Sequence, residues 1–414
     1  MKKSVINMEK SNVEFILDMA EELRRENVRF FFLDERWIDE GRDIDLCLHR
    51  EDTEKFDKIA RKMGFRFLSK FPPWKRFYVT YRSGDIILLD VHLGKYEGVS
   101  QEILGFGESY WLDPTRQVFY YIYRIGLGEP ITKYEKYMKM HLPRVDFNRL
   151  EGYLRVYFRN SKELVDKLKG ERFNELKPEH RLKHTLTRGL YFGRNTLFKT
   201  LRWFWRLFHP APHVVFLGPN GSGKTTLAKA VVEVAKKGKF KPYYEYGGRY
   251  TFRCLKPLNW ARNKAKKEAK NVETAVDGGR KKEIVRYNSR AIRLVIPFIY
   301  YIEYLLRTLC IYPKRLKYKL VVTDRWFYDL ITSPNASKGL TRTLSKLLPK
   351  PTLVVYVYND PDVLVERRKG LSRELIENQL RDFELMSNVF DLRVKSDSKE
   401  RALEEVMNAI IERL

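Results

Sequence analysis

One short stretch of this 414-residue sequence, from Val214 to Ala230, combines residue types that bind phosphate. It has the sequence VVFLGPNGSGKTTLAKA and fits the pattern GxxxxGK[ST], with an apolar run before it and a helical pattern after it. Glycines let backbone N–H groups turn toward phosphate oxygens, and the N-terminus of the following helix adds positive charge. The expected nucleotide-binding residues are Gly218, Pro219, Asn220, Gly221, Ser222, Gly223, Lys224, Thr225 and Thr226.

Two residues at the end of this pattern have separate expected roles. The ammonium group of Lys224 is placed to reach the β- and γ-phosphates of a bound nucleotide. The hydroxyl of Thr225 is the kind of oxygen ligand that Mg²⁺ accepts beside phosphates. The stretch therefore predicts ATP and Mg²⁺ as cofactors.

A second candidate group follows the apolar run KLVVT at 319–323, which predicts a buried strand. Asp324 and Arg325 come directly after it, and ligands of parallel sheets collect at the carboxyl ends of strands. Asp324 is expected to hold Mg²⁺ or to accept a proton from an acceptor hydroxyl. Arg325 is expected to neutralise an acceptor phosphate, although a salt bridge at the strand end is the alternative.

A third candidate group is the sequence ERRKG, Glu366 to Gly370, after the predicted strand TLVVYVY. Arg367 and Arg368 have the charge and reach to stabilise a phosphoryl group during its transfer. A basic helix face in contact with solvent is the alternative for this run.

Residues 213–414 resemble the thymidylate kinase branch of the P-loop nucleoside monophosphate kinases. The resemblance rests on GPNGSGKTT, on TDRWFYD at the place of a DRY-type motif, and on PTLVVYVYNDPDVLVERRKG at the place of a strand and an arginine-bearing lid. It implies ATP-dependent transfer of a phosphoryl group to a nucleotide. The implied site comprises Lys224 and Thr225 for ATP and magnesium, Asp324 and Arg325 for the acceptor, and Arg367 or Arg368 for the lid.

The segment between Thr225 and Asp324 departs from that family. It has about 100 residues and contains the basic insert RNKAKKEAKNVETAVDGGRKKEIVRYNSR, in which the family's base-recognition residues cannot be placed. The sequence therefore predicts phosphoryl transfer and leaves the acceptor open among nucleotides, other small molecules with a hydroxyl or phosphate, and the ends of RNA or DNA.

Three aspartates in the first 100 residues form another candidate group. Asp43 and Asp45 are two apart on the predicted strand DIDLCLH, so both carboxylates lie on one face, and Asp90 lies on the later strand DIILLDVHL. Three carboxylates at a sheet edge can hold the two Mg²⁺ ions that activate a hydroxyl and bind a triphosphate. Exposed strand residues without a metal are the alternative.

The order of elements over residues 11–95 resembles the minimal nucleotidyltransferase fold of the DNA polymerase beta type. The resemblance rests on the Asp43-x-Asp45 strand followed by the strand with Asp90, and it implies metal-dependent nucleotidyl transfer. That fold has a Gly-Ser pair before the first acidic strand, and FLDERWIDEGRDIDL has none. A degenerate module that binds a nucleotide or a partner is therefore the competing interpretation.

The pattern of elements predicts an α/β protein in three parts. Residues 1–110 predict a small domain with a mixed sheet, in the order helix, strand, strand, helix and three strands. Residues 111–210 have a helical pattern and predict a basic connector that ends at the sequence HPAP. Residues 211–414 alternate apolar strands with helices, which is typical of a parallel sheet covered on both faces.

The charge balance concerns possible partners. Lys and Arg number 80 against 53 Asp and Glu, a formal charge of +27, which favours a polyanion such as nucleic acid or an anionic membrane face. The charge-rich surface of a thermophile protein is the alternative. Residues 196–208, TLFKTLRWFWRLF, mix basic and aromatic side chains. They suit packing between domains, peripheral membrane contact or single-stranded nucleic acid.

The cysteines and the apolar runs of the sequence bear on where the protein is located in the cell. Cys47, Cys254 and Cys310 are far apart and form no CxxC pair, so neither a disulfide framework nor a zinc site is indicated. The run from Ala291 to Tyr312 is strongly apolar, but charged residues and a proline interrupt it, and it predicts a buried or amphipathic helix. With no apolar signal segment near residue 1, a cytoplasmic protein is expected.

Overall fold

The computed structural model describes residues 2–33, 43–69, 73–94, 99, 103, 105–106, 110–238, 240–249, 252–260, 272–277, 280–285, 289–368 and 370–414. The chain divides into two compact units. The first comprises Met1–Ser83 and Ile87–Trp205, and the second comprises Gly84–Ile86 and Arg206–Leu414.

The first unit contains a mixed five-stranded sheet, as predicted. Its elements are α1 (Lys2–Arg25), β1 (Phe30–Phe32), β2 (Asp43–Leu48), α2 (Thr53–Lys62), β3 (Arg66–Ser69), β4 (Lys75–Arg82) and β5 (Asp85–Leu93). The strands lie in the order β1-β2-β5-β4-β3, with β1 antiparallel and β5 parallel to β2. The predicted order of helix, strand, strand, helix and three strands is confirmed.

The register between β2 and β5 positions the acidic residues of this sheet. Asp45 lies opposite Asp90, and Asp43 lies opposite Leu88. Apolar residues of β2 and β5 alternate with these polar positions and are buried, which fixes the register because a one-residue slip reverses both faces. The hydrophobic core on that side also includes Phe15 and Ile16 of α1 and residues of α2.

The rest of the first unit is helical, as predicted for residues 111–210. Its helices are α3 (Pro114–Gly126), α4 (Glu135–His141), α5 (Phe147–Tyr157), α6 (Ser161–Lys169) and α7 (Leu182–Phe208). Asp113 caps α3 by accepting a hydrogen bond from the N–H of Arg116, with Pro114 at the first helical position. Helix α3 is buried on most sides by an aromatic core that includes Phe119 and Tyr157.

The second unit contains an all-parallel five-stranded sheet. Its elements begin with β6 (His213–Leu217), α8 (Lys224–Lys237), β7 (Pro242–Tyr246), β8 (Val272–Asp277), β9 (Arg280–Val285), α9 (Arg290–Lys317) and β10 (Leu320–Asp324). They continue with α10 (Lys338–Leu347), β11 (Leu353–Tyr358), α11 (Pro361–Arg367), α12 (Arg373–Glu384), β12 (Leu392–Lys395) and α13 (Lys399–Ile411).

The strands of this sheet lie in the order β12-β11-β6-β10-β7, and each neighbouring pair is parallel. Every residue of β6 and β10 is buried, which requires cover on both faces of the sheet. The predicted α/β class with a covered parallel sheet is therefore confirmed. A separate antiparallel pair, β8 and β9, occupies part of the basic insert.

Helix α9 is amphipathic, one of the two forms that its sequence predicts. It is long and apolar enough to cross a membrane by length and composition alone, and 33% of its apolar window is buried. Its inward face carries Tyr304 and the ion pair of Glu303 with Arg307, whereas an aliphatic and aromatic stripe faces outward. The stripe comprises Val295, Phe298, Ile302, Leu305, Leu309 and Tyr312, each 36–64% exposed.

The inward ion pair of α9 holds a neighbouring loop. The carboxylate of Glu303 accepts hydrogen bonds from the backbone N–H groups of Arg253 at 2.7 Å, Cys254 at 3.2 Å and Leu255 at 2.8 Å, and from Arg307 Nε at 2.7 Å. Burial alone would raise the pKa of Glu303, but these donors outweigh it and lower that pKa below its usual range.

The aromatic end of α7 does not show the packing that was one interpretation of residues 196–208. Trp203, Phe204 and Trp205 are 55%, 56% and 63% exposed, and Phe208 is 80% exposed. The aromatic residues nearly encircle this part of the helix, so packing on one side leaves the others in contact with solvent. The exposure of these four side chains does not agree with packing, one of the three interpretations of residues 196–208, and contact with a membrane or with nucleic acid stays a prediction.

Candidate active site

The glycine-rich loop joins the end of β6 to the start of α8 and has the backbone that a phosphate cradle needs. Gly218, Gly221 and Gly223 have φ angles of 150°, 85° and 82°, which other L-residues rarely adopt. A Cβ atom on Gly218 would lie 2.1 Å from the carbonyl oxygen of Val357. The loop can therefore keep this path between β6 and β11 only with glycine at that position.

Lys224 is buried at the first position of α8, with 4% of its surface exposed. Its Nζ donates a hydrogen bond to the carbonyl oxygen of Pro219 at 2.8 Å, so the side chain folds back over the loop. Burial, aided by the positive charge of Arg325, lowers the pKa of Lys224 to about 7. An anion in the loop would favour its charged form, which fits a phosphate-binding role.

Thr225 and Asp324 are brought into contact by the neighbouring strands β6 and β10. The Oγ1 of Thr225 donates a hydrogen bond to Oδ2 of Asp324 over 2.6 Å. Asp324 ends β10, which lies between β6 and β7, and the Tyr244 hydroxyl of β7 is 3.4 Å from the same carboxylate oxygen. The other oxygen, Oδ1, is buried and accepts no hydrogen bond from the residues that the structure describes.

The Oδ1 atom of Asp324 and the hydroxyl oxygen of Thr225 fit a divalent cation. An aspartate oxygen and a threonine hydroxyl are hard ligands of the kind that Mg²⁺ takes when phosphates complete its coordination. The buried Oδ1 of Asp324 has a lone pair to offer, and the hydroxyl of Thr225 is already in contact with the carboxylate. The residues present therefore suit the magnesium that the sequence pattern predicts.

Arg325 has the strained backbone often found at functional sites, with a φ angle of 73°. Its N–H donates to the carbonyl oxygen of Phe216, which holds it against β6. Its guanidinium donates to Oδ1 of Asp329 at 2.8 Å and to Oδ1 of Asn220 at 3.2 Å. Arg325 therefore connects the end of β10 with the glycine-rich loop.

Two residues beside Arg325 were missed by the sequence analysis. Asp329 is 2% exposed, and its carboxylate pairs with Arg325, while Arg249 donates to the Asp329 carbonyl oxygen at 2.6 Å. Burial opposes the charge of Asp329, but Arg325, Arg249 and Lys224 outweigh it and lower its pKa. The spacing of four between Arg325 and Asp329 was the available signal, whereas Arg249 had none.

The two lid arginines have different surroundings. Arg367 donates to the hydroxyl of Ser396 at 3.0 Å and to its carbonyl oxygen at 2.8 Å, which ties it to the loop after β12. The Cγ of Arg368 lies 3.0 Å from the place a Cβ of Gly221 would take. Arg368 is thus next to the glycine-rich loop, and Arg367 is next to the loop before α13.

A cavity of about 450 Å³ lies beside the glycine-rich loop, large enough for a nucleotide. Basic groups and backbone line it on the side of α8, α11 and α13. The lining residues are Gly221, Gly223, Lys224, Thr225, Thr226, Leu227, Val357, Arg367, Arg368, Ser396, Asp397, Lys399 and Ala402.

Gln379 of α12 is a further loop contact that the sequence did not reveal. Its Oε1 accepts a hydrogen bond from the backbone N–H of Asn220 at 2.9 Å. Asn220 therefore contacts Gln379 through its backbone and Arg325 through its side chain. This residue links the lid helices to the strand-end arginine.

The acidic group of the first unit is only partly described. The side chain of Asp43 lies outside the described residues, whereas possible ligand atoms of Asp45, Asp90 and His92 lie within 4.8 Å of one another. Lys75 Nζ is 2.8 Å from Oδ2 of Asp90, which already neutralises that carboxylate. Burial, together with nearby Lys75 and Arg124, lowers the pKa of His92 well below its usual range, so His92 is neutral.

His92 was missed by the sequence analysis, although its spacing gave a signal. It lies two residues after Asp90 on β5, so both side chains share a face of the sheet. A neutral imidazole can bind a metal, which makes His92 a third possible ligand in place of the undescribed Asp43.

Comparisons with known proteins add little information to what the geometry of the candidate site shows. No protein-family model matches the chain, and no curated protein matches it. One similar solved structure is a thymidylate kinase from Ehrlichia chaffeensis, with 14% sequence identity and a TM-score of 0.31. The match covers 49% of this chain and 99% of that one, and a score this low carries no weight for activity.

Proposed function

We propose that the second unit is an ATP-dependent phosphotransferase that moves the γ-phosphoryl group to a small acceptor. The observation that carries the proposal is the contact between Thr225 and Asp324 at the edge of a glycine-rich loop. It joins a threonine from the loop to a strand-end carboxylate, the pairing that a magnesium-bound triphosphate requires.

The chain's own residues divide the work of binding and positioning. Backbone N–H groups of the loop and the N-terminus of α8 bind phosphate oxygens, and Lys224 adds a charge that the bound anion makes favourable. Thr225 and Asp324 are the residues to hold Mg²⁺, which when bound offsets the negative charge of the β- and γ-phosphates. Arg368 packs against Gly221 and lines the cavity beside the loop, so it is the arginine that we expect to contact the transferring group.

The acceptor side is the region of Arg325, Arg249 and Asp329. Two guanidinium groups near one buried carboxylate leave a net positive charge there, which suits an acceptor that carries a phosphate. Nucleoside monophosphates, thymidylate among them, are therefore the first acceptors to test. RNA or DNA as acceptor, membrane contact through residues 196–208 and a cytoplasmic location stay predictions.

A screen of ATP consumption by the full chain tests the proposal. Nucleoside monophosphates, sugars, sugar phosphates and tRNA would each be offered with ATP and Mg²⁺. We expect turnover with at least one of them, and a loss of about 100-fold in Lys224→Ala. Lys229→Ala, an exposed change on the same helix, is the matched control and should retain activity. Equal activity and ATP affinity in both variants would refute the proposal.

A second activity, nucleotidyl transfer by the first unit, is favoured by the approach of Asp45, Asp90 and His92. The ion pair of Lys75 with Asp90 favours the inert interpretation instead. The Lys224→Ala chain, incubated with labelled nucleoside triphosphates and Mn²⁺, separates the two. Label transfer that disappears in Asp45→Asn supports nucleotidyl transfer, and no transfer in either protein supports the inert module.

A further inference from the structure

Two cysteines of the second unit, separated by 56 positions in the chain, are brought together by the fold. The Sγ atoms of Cys254 and Cys310 lie 3.9 Å apart, and both are free thiols. Cys310 is exposed on α9, and Cys254 is partly exposed in the segment that follows β7. This distance is close enough for a disulfide to form with a small movement of the side chains.

The contact is supported by the backbone around it. Glu303 accepts hydrogen bonds from the N–H groups of Cys254 and of both its neighbours, and Glu303 lies two helical turns before Cys310 on the same helix. The approach of the two thiols is therefore set by a buried carboxylate and does not depend on the two sulfur atoms alone.

We propose that Cys254 and Cys310 are a site of reversible oxidation, and that their disulfide fixes the segment after β7 to α9. The same segment, a few residues earlier, contains Arg249, which contacts Asp329 beside Arg325. Oxidation would thus restrain the acceptor side of the candidate active site. Formation of the bond does not depend on the proposed phosphotransferase activity.

The reaction with a low-molecular-weight disulfide such as oxidised glutathione has two steps. The thiolate of Cys310, the exposed partner, attacks one glutathione sulfur, and the other glutathione leaves as a thiol after taking up a proton. The thiolate of Cys254 then attacks the Cys310 sulfur and releases the second glutathione thiol. Two protein thiols lose two electrons and two protons, and one glutathione disulfide gains them.

Cys254 has the properties of the slower, resolving thiol. Burial, the hydrogen bond with Cys310 and the charge of Glu303 raise the pKa of Cys254 to about 11. Its thiolate is therefore scarce at neutral pH, and the closing step should accelerate about tenfold per pH unit below that value. Cys47, which is fully buried in the first unit, is the internal control because it should not react in the folded protein.

The test is oxidation of the full chain with oxidised glutathione, followed by alkylation and peptide mass spectrometry. We expect loss of two alkylatable thiols, a Cys254–Cys310 linked peptide, and full recovery with a reductant. In Cys254→Ser the expected product is instead a mixed disulfide of Cys310 with one glutathione. Retention of both thiols in the wild-type chain, or a disulfide between two chains through Cys310, would overturn the proposal.

A second measurement follows the restraint itself. Amide hydrogen exchange at Cys254 and Leu255 should slow at least threefold on oxidation, and the melting temperature of the second unit should rise by roughly 5 °C or more. Neither change should occur in Cys310→Ser treated in the same way. A wild-type chain that forms the bond without slower exchange would contradict the proposed restraint.

Discussion

The hydroxyl of Thr225 and the carboxylate of Asp324 are joined by a hydrogen bond of 2.6 Å across 99 positions of the chain. The contact exists because β10 lies beside β6 in parallel register, with Asp324 opposite Phe216. The strand end and the start of α8 therefore meet because β6 and β10 are neighbours in the sheet.

If this pair acts as one unit, its two members should not contribute independently. We expect Thr225→Val and Asp324→Asn each to reduce phosphoryl transfer by about 10- to 100-fold. The double variant should lose little more activity than the less active of the two single variants. Steady-state rates at varied Mg²⁺ measure this, with Lys229→Ala, an exposed change on α8, as the control. Losses that multiply in the double variant would show two independent roles.

The buried Lys224 predicts a specific pH dependence of stability. Its pKa is about 7 in the folded chain without ATP and about 10.5 when unfolded, so between these values the unfolded chain binds the extra proton. Stability should therefore rise with pH from 7 to 10, by up to about 1.4 kcal/mol per unit. Calorimetric unfolding of the wild type and of Lys224→Met isolates this slope, which the variant should lack.

The close approach of Gly218 to β11 predicts a strong effect of one added methyl group. Gly218→Ala would place a Cβ 2.1 Å from the Val357 carbonyl oxygen, so we expect a loss of about 3 kcal/mol and of ATP binding. Gly339→Ala, whose added Cβ meets nothing within 4 Å, should leave stability and binding nearly unchanged. Denaturation and ATP titration measure both, and similar results for the two variants would contradict the crowded loop.

The buried carboxylate of Glu303 should be essential for the fold of the second unit. Glu303→Ala leaves Arg307 Nε and three backbone N–H groups without this acceptor, at a cost of roughly 3–5 kcal/mol. Replacing both members of the pair by leucine should recover part of that stability, because no buried charge is then left alone. A Glu303→Ala protein that unfolds at the wild-type temperature would contradict this role.

Local patterns were sufficient for part of the site. Lys224 and Thr225 could be predicted because the loop is continuous in sequence, and Asp324 because an apolar strand ends immediately before it. Arg249 and Gln379 could not be predicted, since they reach the site from distant elements and no spacing marks them. The same limit applies to Cys254 and Cys310, which looked unrelated in the sequence.

The direction in which a side chain points was harder to predict than its position in the sequence. The run of arginines after β11 suggested two side chains near the phosphates, and both line the cavity, although Arg367 bonds to Ser396 while Arg368 packs against the loop. The apolar run of α9 predicted a buried or amphipathic helix, but it did not show that Glu303 and Arg307 would lie on the buried face. The sequence of α9 shows that the helix has two different faces. Which face is buried depends on the groups that Glu303 and Arg307 can bind in the interior.

The amphipathic arrangement of α9 puts an apolar, solvent-exposed stripe on one face and the contacts with Gly247 on the other. The outward residues Phe298 and Leu309 are 50% and 64% exposed, and an exposed aliphatic stripe favours self-association in water. Tyr304 and Arg307, on the opposite face, hold the loop beside the site. Substitutions on the outward face should therefore change self-association and leave the contacts of Tyr304 and Arg307 with Gly247 in place.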